Sequence, residues 1–266
     1  MAITTPFSVE SEQRRIAAGV YGYALESMPW RETPRGTVRE KAVRRDDEAG
    51  LFLGLVAFEP MSRSGVHQHL ATATSYFLSG SLTDYQGTTG EGSVGINLKG
   101  ATHDAVCYSG CLLVSRLEGP VVIPDNGLAA HAHAGYAAFH NLSPETPPDM
   151  TVVLSQATAV GTRFGGVVRR PLFNYTGTDT DRRMCALTLW PGAPPLRVKH
   201  TALTDLYLLA GDLRIEGTSL TGPAFVVIEP GTELTMTSEY GCSLLAWAEG
   251  PGVCANTGEA ELYGFR

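Results

Sequence analysis

Seven histidines are the residues of this chain best suited to chemistry, and they are unevenly spread. His67, His69 and His103 fall in the first half, His131, His133 and His140 near the middle, and His200 in the second half. His67 and His69 are separated by one residue, so on a β-strand both imidazoles point to the same face, and Gly65 just before them allows a close turn into that strand. Two neutral imidazoles on one face are the start of a metal site, although an H-x-H pair also occurs as a metal-free surface or core pair. A third imidazole, His103, follows Gly100. His131 and His133 again share a strand face; a second metal there would have only His140 as a third ligand, and the plainer reading is a polar strand face. The five cysteines form no C-x-x-C pair and read as buried thiols. Cys107 and Cys111 flank a Ser109-Gly110 turn and could meet across a hairpin.

The elements that must position these residues are strands. Thirty glycines, sixteen prolines and only 18% charged residues suit many short strands and tight turns, so the expected class is all-β. The stretches TVREKAVRR and LFLGLVAFEP read as two strands of a hairpin around an acidic turn, and the same grammar returns at VVRRPLFNY and MCALTLWP. Residues 8 to 19, SVESEQRRIAAG, carry the one convincing helix signal, with Ser8 or Ser11 as N-cap and Gly19 as stop. A shift of 131 residues superposes the segment from Phe58 on the segment from Leu189 without a gap. Pro60 meets Pro191, His69 meets His200, Gly80 meets Gly211, and the register persists to Glu118-Gly119-Pro120 on Glu249-Gly250-Pro251. Two copies of one β-domain follow, 1–145 and 146–266, joined at the proline-rich NLSPETPPDM.

Charge and hydropathy narrow the function. A formal charge of −7 offers no basic cluster for nucleic acid or an anionic membrane. The longest apolar runs fall far short of the roughly 20 residues of a spanning helix. The first residues show no secretory signal, so a cytoplasmic protein acting on a small molecule is expected.

The H-x-H pair, the strand ATATSYFLSGSL with its glycine turn, and Gly100-Ala-Thr-His103 together resemble the cupin superfamily. Its first motif is roughly G-x5-H-x-H-x3,4-E-x6-G and its second G-x5-P-x-G-x2-H-x3-N. With the repeat included, the resemblance covers essentially the whole chain and implies two tandem double-stranded β-helix (jelly-roll) barrels, a bicupin. It implies His67, His69 and His103 as ligands of one divalent metal. The sequence departs from the pattern at several places: Ala73 replaces the glutamate ligand with Thr74 beside it, Gly65 lies too close to the first histidine, Leu98 stands for the proline and Cys107 for the asparagine. Loss of the glutamate with three histidines kept is similar to the ChrR-like cupins and to the three-histidine dioxygenases that cleave acetylacetone or 2,4'-dihydroxyacetophenone with iron(II) and dioxygen.

Three neutral ligands leave a metal its full charge and open positions for a chelating enolate and for dioxygen. Iron(II) is the expected metal, with zinc, nickel or manganese as alternatives, since three imidazoles also suit zinc. The leading expectation is a dioxygenase acting on a small diketone, hydroxyketone or phenolic substrate. The alternatives are a non-redox isomerase, lyase or hydrolase and a zinc-holding ligand-binding or sensor barrel. The anti-sigma-factor version of the last is disfavoured because residues 1–40 contain no His and no Cys. Taking Ala73 as inward, alternation puts Ser75, Phe77 and Ser79 in the pocket with Ala105 and Cys107, and Tyr76 and Leu78 outside, unless a bulge swaps the sets. Arg116 and Glu118 are candidate catalytic residues for orienting an oxyanion or taking a proton; an exposed ion pair is the alternative. In the second copy Val198, His200, Thr204 and Leu234 stand at the ligand positions, so that barrel is expected to have lost its site and to serve packing, dimerisation or covering of the first pocket. A homodimer through outer strands fits the resemblance.

Overall fold

The computed structural model describes residues 13–123, 149–174, 181–255 and 261–264. Regular structure there is strands and one short 3-10 turn, Leu154–Gln156, and among the described residues no helix is long and apolar enough to cross a membrane. The chain forms two compact units: Pro29–Gln156, and Ser11–Met28 with Ala157–Arg266.

Each unit is a β-barrel of antiparallel strands, and the repeat is reproduced in the structure almost residue for residue. In the first unit the strands Ser93–Asn97, Ala73–Asp84, Cys111–Glu118, Leu51–Phe58 and Val38–Asp46 lie side by side in that order. In the second, Ala224–Ile228, Thr204–Ile215, Cys242–Ala248, Arg183–Leu189 and Val167–Asn174 do the same. The long strand of each barrel carries a bulge at the same point, after Phe77 and after Leu208. Gly80 and Gly211 follow it with φ of +70° and +87°; a Cβ on either would sit 2.0 Å from the carbonyl oxygen of Gly110 or Gly241. Only glycine fits such a close approach at positive φ, which is why the repeat keeps it.

The interiors differ. The second barrel is filled by a continuous apolar cluster that includes Val198, Leu206, Leu234, Leu244 and Met236, with Leu262 and Tyr263 packed into it. The first barrel has a small cluster of Phe77, Cys107, Cys111 and Leu113 and, beside it, a cavity.

Two expectations need correction. Residues 13–17 of the expected helix form the strand Gln13–Ala17, which turns at Gly19 and pairs with Val20–Ala24. Val20–Ala24 in turn pairs along Ala224–Ile228, burying Val20 and Tyr23; edge pairing and burial outweigh a weak local helix preference. The units also do not divide at 145/146. The hairpin 13–24 belongs to the second unit, and the strand Asp149–Val153 pairs with Ser93–Asn97 in the first. Each barrel thus covers one sheet edge with a strand from outside its repeat, so that Gln13–Ala17 and Asp149–Val153 become the outer strands. His131, His133, His140 and most of the expected 141–150 connection lie outside the described residues.

Candidate metal centre

The three histidines meet through a small sheet. His67–His69 pairs antiparallel with Thr102–His103, setting His103 directly opposite His67, and with Val121–Val122, setting Val121 opposite His69. Alternation sends His67 and His69 to the interior and Gln68 to the other face. There Gln68 is fully buried and donates to Gly100 O at 3.2 Å and Thr102 Oγ1 at 3.1 Å, which pins the register. Two backbone bonds of 2.8 Å, from the N–H of Gly100 to His69 O and from the N–H of His69 to Ala101 O, tie the two ligand segments together.

The ring nitrogens converge. His103 Nε2 lies 3.1 Å from His67 Nε2 and 3.1 Å from His69 Nε2. Nitrogens bonded at about 2.1 Å to one ion and about 95° apart would be separated by about 3.1 Å, so the spacing suits a shared metal. His67 Nδ1 donates to Gly65 O at 2.7 Å, so the neutral ring turns its Nε2 lone pair inward. Burial, then His103, push the His67 pKa down to about 3, with the Gly65 bond opposing and Arg35 adding to the depression. Burial, then its two partners, push His69 well below its usual value. A proton on His103 Nε2 could serve only one of its two neighbours, whereas a single cation serves all three nitrogens. The donor set therefore fits a divalent metal.

Asp84 completes the arrangement from outside. Its Oδ2 accepts from His103 Nδ1 at 3.0 Å, the carboxylate–histidine pairing that orients a ligand ring and raises its basicity. Burial pushes the Asp84 pKa up, but the bonds from His103 and from the Gln86 N–H outweigh it and the net shift is downward. Among the described residues, the three histidines are the one cluster of His, Cys, Asp or Glu with metal-binding spacing.

The ligands face a cavity of about 470 Å³. Ala73, Ser75, Phe77 and Ala105 line it as expected. Ser79 does not, because the bulge after Phe77 shifts the alternation and makes Leu82 and Asp84 the next inward residues. Cys107 also lies off the cavity: it is fully buried in the cluster with Phe77 and Leu113, whose side chains stand on the cavity wall. Arg116 and Glu118 are on the wrong face for chemistry here. Their strand turns Leu113, Ser115 and Leu117 inward, and Arg116 and Glu118 pair with each other, nearly buried rather than exposed. Arg35, Asp84, Asn97, Ser115 and Asp149 line the cavity without having been singled out from sequence. Only Asp84 had a usable signal, the out-of-phase alternation that a bulge would explain.

In the second barrel, His200 is fully buried with its Nε2 2.8 Å from the Tyr263 hydroxyl, while Val198 and Leu234 hold the other two ligand positions and are buried. This is a hydrogen-bonded core histidine, as its solitary place in the repeat implied.

Comparison with known proteins bears on the fold. Residues 12–120 match the family model of the ChrR Cupin-like domain, a segment that contains all three histidines. Among solved structures, a proposed dioxygenase from Nostoc punctiforme matches with a TM-score of 0.67 at 8% identity, over 85% of this chain and 81% of that one. The E. coli protein Ylba matches with a TM-score of 0.62 at 11% identity, over 90% and 94%. Oxalate decarboxylase of Bacillus subtilis matches with a TM-score of 0.58 at 14% identity, over 88% and 79%. At such identities these likenesses speak for the fold, which is that of two cupin barrels in one chain. No curated protein matches the chain.

Proposed function

We propose that this chain is a metal-dependent cupin oxidoreductase, a non-haem iron(II) dioxygenase that cleaves a carbon–carbon bond in a small diketone, hydroxyketone or phenolic substrate, working in the cytoplasm. The observation that carries this reading is three inward-facing imidazole nitrogens, without a carboxylate ligand, on the wall of a cavity large enough for such a molecule. Iron held by His67, His69 and His103 would keep its full positive charge, favour the enolate or phenolate of the substrate and supply the redox chemistry with dioxygen. The protein's own part is orientation and exclusion of water. Asp84 fixes the His103 ring, Phe77 and Leu113 form an apolar wall, and Ser75 and Ser115, hydrogen-bonded to each other at 2.6 Å, present hydroxyls to the cavity. The likeness to a proposed dioxygenase supports the reading at the level of the fold.

A second reading is favoured by the neutral ligand set itself, because three imidazoles hold zinc as readily as iron. Such a barrel would do non-redox chemistry with zinc, nickel or manganese, or hold zinc as a ligand-binding sensor. Oxygen consumption separates the two. The iron-loaded protein should take up dioxygen when given β-diketones, hydroxyketones or catechols, and should not without them. Firm binding of zinc or nickel with no oxygen uptake on any of these substrates would move the assignment to the second reading.

A further inference from the structure

The inward face of the first barrel carries a polar strip that the fold does not require. Four neighbouring strands place Thr151, Gly95, Ser75 and Ser115 in one cross-strand row, and Asp149, Asn97, Ala73 and Leu117 in the next. All eight line the cavity. At the matching places of the second barrel Gly95 becomes Val226, Ser75 becomes Leu206, Ser115 becomes Ala246 and Asn97 becomes Ile228, all buried. The same backbone is therefore content with apolar side chains at these positions, and the polar ones need another reason.

Asp149 is the strongest group in the strip. It is buried, yet it lies on the cavity wall. Asn97 Nδ2 donates to its Oδ1 at 2.6 Å, and Gln86 Nε2, at 3.2 Å, and the Tyr85 hydroxyl both donate to its Oδ2. A carboxylate has about four acceptor positions, so among the described residues Oδ2 is saturated and Oδ1 keeps one. All three donors are neutral, which leaves the negative charge uncompensated by any cation among them and makes that last position a strong acceptor. A single remaining position suits a hydroxyl better than an ammonium, which would need several. The wall formed by Phe77, Phe58, Val56 and Leu113 is apolar.

We infer that Asp149 is a specificity-determining residue that accepts a hydrogen bond from a substrate hydroxyl other than the metal-chelating oxygens, so that the preferred substrate has an apolar body bearing such a hydroxyl. This rests on the metal-centre reading above and narrows its substrate class, disfavouring simple aliphatic diketones.

The test uses the full chain loaded with redox-inert zinc and three ligands that share one chelating group: benzoylacetone and its meta- and para-hydroxyphenyl counterparts. Dissociation constants come from titration calorimetry. A charge-assisted hydrogen bond should make the better hydroxyphenyl ligand bind about tenfold or more tightly than benzoylacetone. In Asp149→Asn that ratio should collapse to within about twofold, since the amide offers the ligand a donor where the carboxylate offered an acceptor. Equal binding of all three ligands to the parent overturns the inference while leaving the metal reading intact, and requires no variant to fold. A ratio that survives in Asp149→Asn also overturns it. Zinc bound at the site with none of the three ligands binding contradicts the chelating-substrate reading itself, and the inference falls with it.

Discussion

The two barrels share their strand order, their bulge and the close glycine contact that follows it, and differ in what fills them. Position for position, the first places His67, Ser75, Asp84 and His103 where the second places Val198, Leu206, Ile215 and Leu234; the former line a cavity and the latter are a core. The difference teaches that a cupin barrel needs no metal, polar strip or hollow to stand. An apolar interior contributes burial free energy at every position, about 25 cal/mol per Å², so the hollow barrel forgoes stability that the filled one has. A hollow retained at that cost is where function is expected.

The sharpest way to break this comparison is to write the first barrel's ligands into the second. Val198→His together with Leu234→His would surround His200 with two imidazoles at positions that are 0% and 1% exposed. Burying two polar rings in a filled core should cost about 2 to 6 kcal/mol, read from chemical denaturation, and no second metal should be taken up. A variant that keeps its stability and binds a second metal would show that the second barrel is a dormant site rather than a core.

Deletions at equivalent positions should separate the barrels more gently. Leu206→Ala leaves a hole in close packing and should cost about 2 to 5 kcal/mol. Ser75→Ala, at the matching place on the cavity wall, should cost less than about 1 kcal/mol. Urea midpoints of the two variants against the parent decide this.

Acid should act on His200 through its burial. The folded-state pKa is pushed from 6.5 down to about 4 by burial, with a backbone bond at Thr232 opposing, so between those values the unfolded chain binds a proton that the folded chain refuses. Stability therefore falls as pH drops from about 6.5 to about 4 and this contribution levels off below, a loss of about 3 kcal/mol. In His200→Gln, whose side chain does not titrate, the decline over that window should be shallower by that amount when unfolding is followed at several pH values.

The most specific expected effect is on metal binding. Asp84→Asn removes the charge that orients His103 and should weaken metal binding by about 10- to 100-fold with little change in stability. At the matching place, Ile215→Val should leave metal affinity alone and cost about 0.5 to 1.5 kcal/mol in stability. Competition with a metal-binding dye measures the first, and urea denaturation the second.

Much of this was legible in the chain because it depends on local patterns. The 131-residue offset, gapless from Phe58, carried the two barrels, since the proline, histidine and glycines near its strand ends repeat at that spacing. The H-x-H spacing pointed to a metal site, and the resemblance to the cupins is what implied His67, His69 and His103 as its ligands. What escaped was decided by long-range pairing. The signal at residues 8–19 read as a helix because nothing local reveals that residues 20–24 pair with 224–228. Arg116, Glu118 and Cys107 were placed by simple alternation and proximity, yet strand orientation and the covering side chains of Phe77 and Leu113 set them off the cavity. Asp149 sits some 80 residues from the histidine pair in sequence. Only the pairing of 149–153 onto 93–97 brings it to the wall.

The most direct test of the account is metal analysis of protein prepared without a histidine tag, for the parent, His103→Ala and His200→Ala. The account predicts about one divalent first-row metal per chain in the parent and in His200→Ala, and less than about a tenth of that in His103→Ala. Metal retained in His103→Ala, metal lost in a folded His200→Ala, or no metal in the parent even after reconstitution would each contradict a single metal centre in the first barrel.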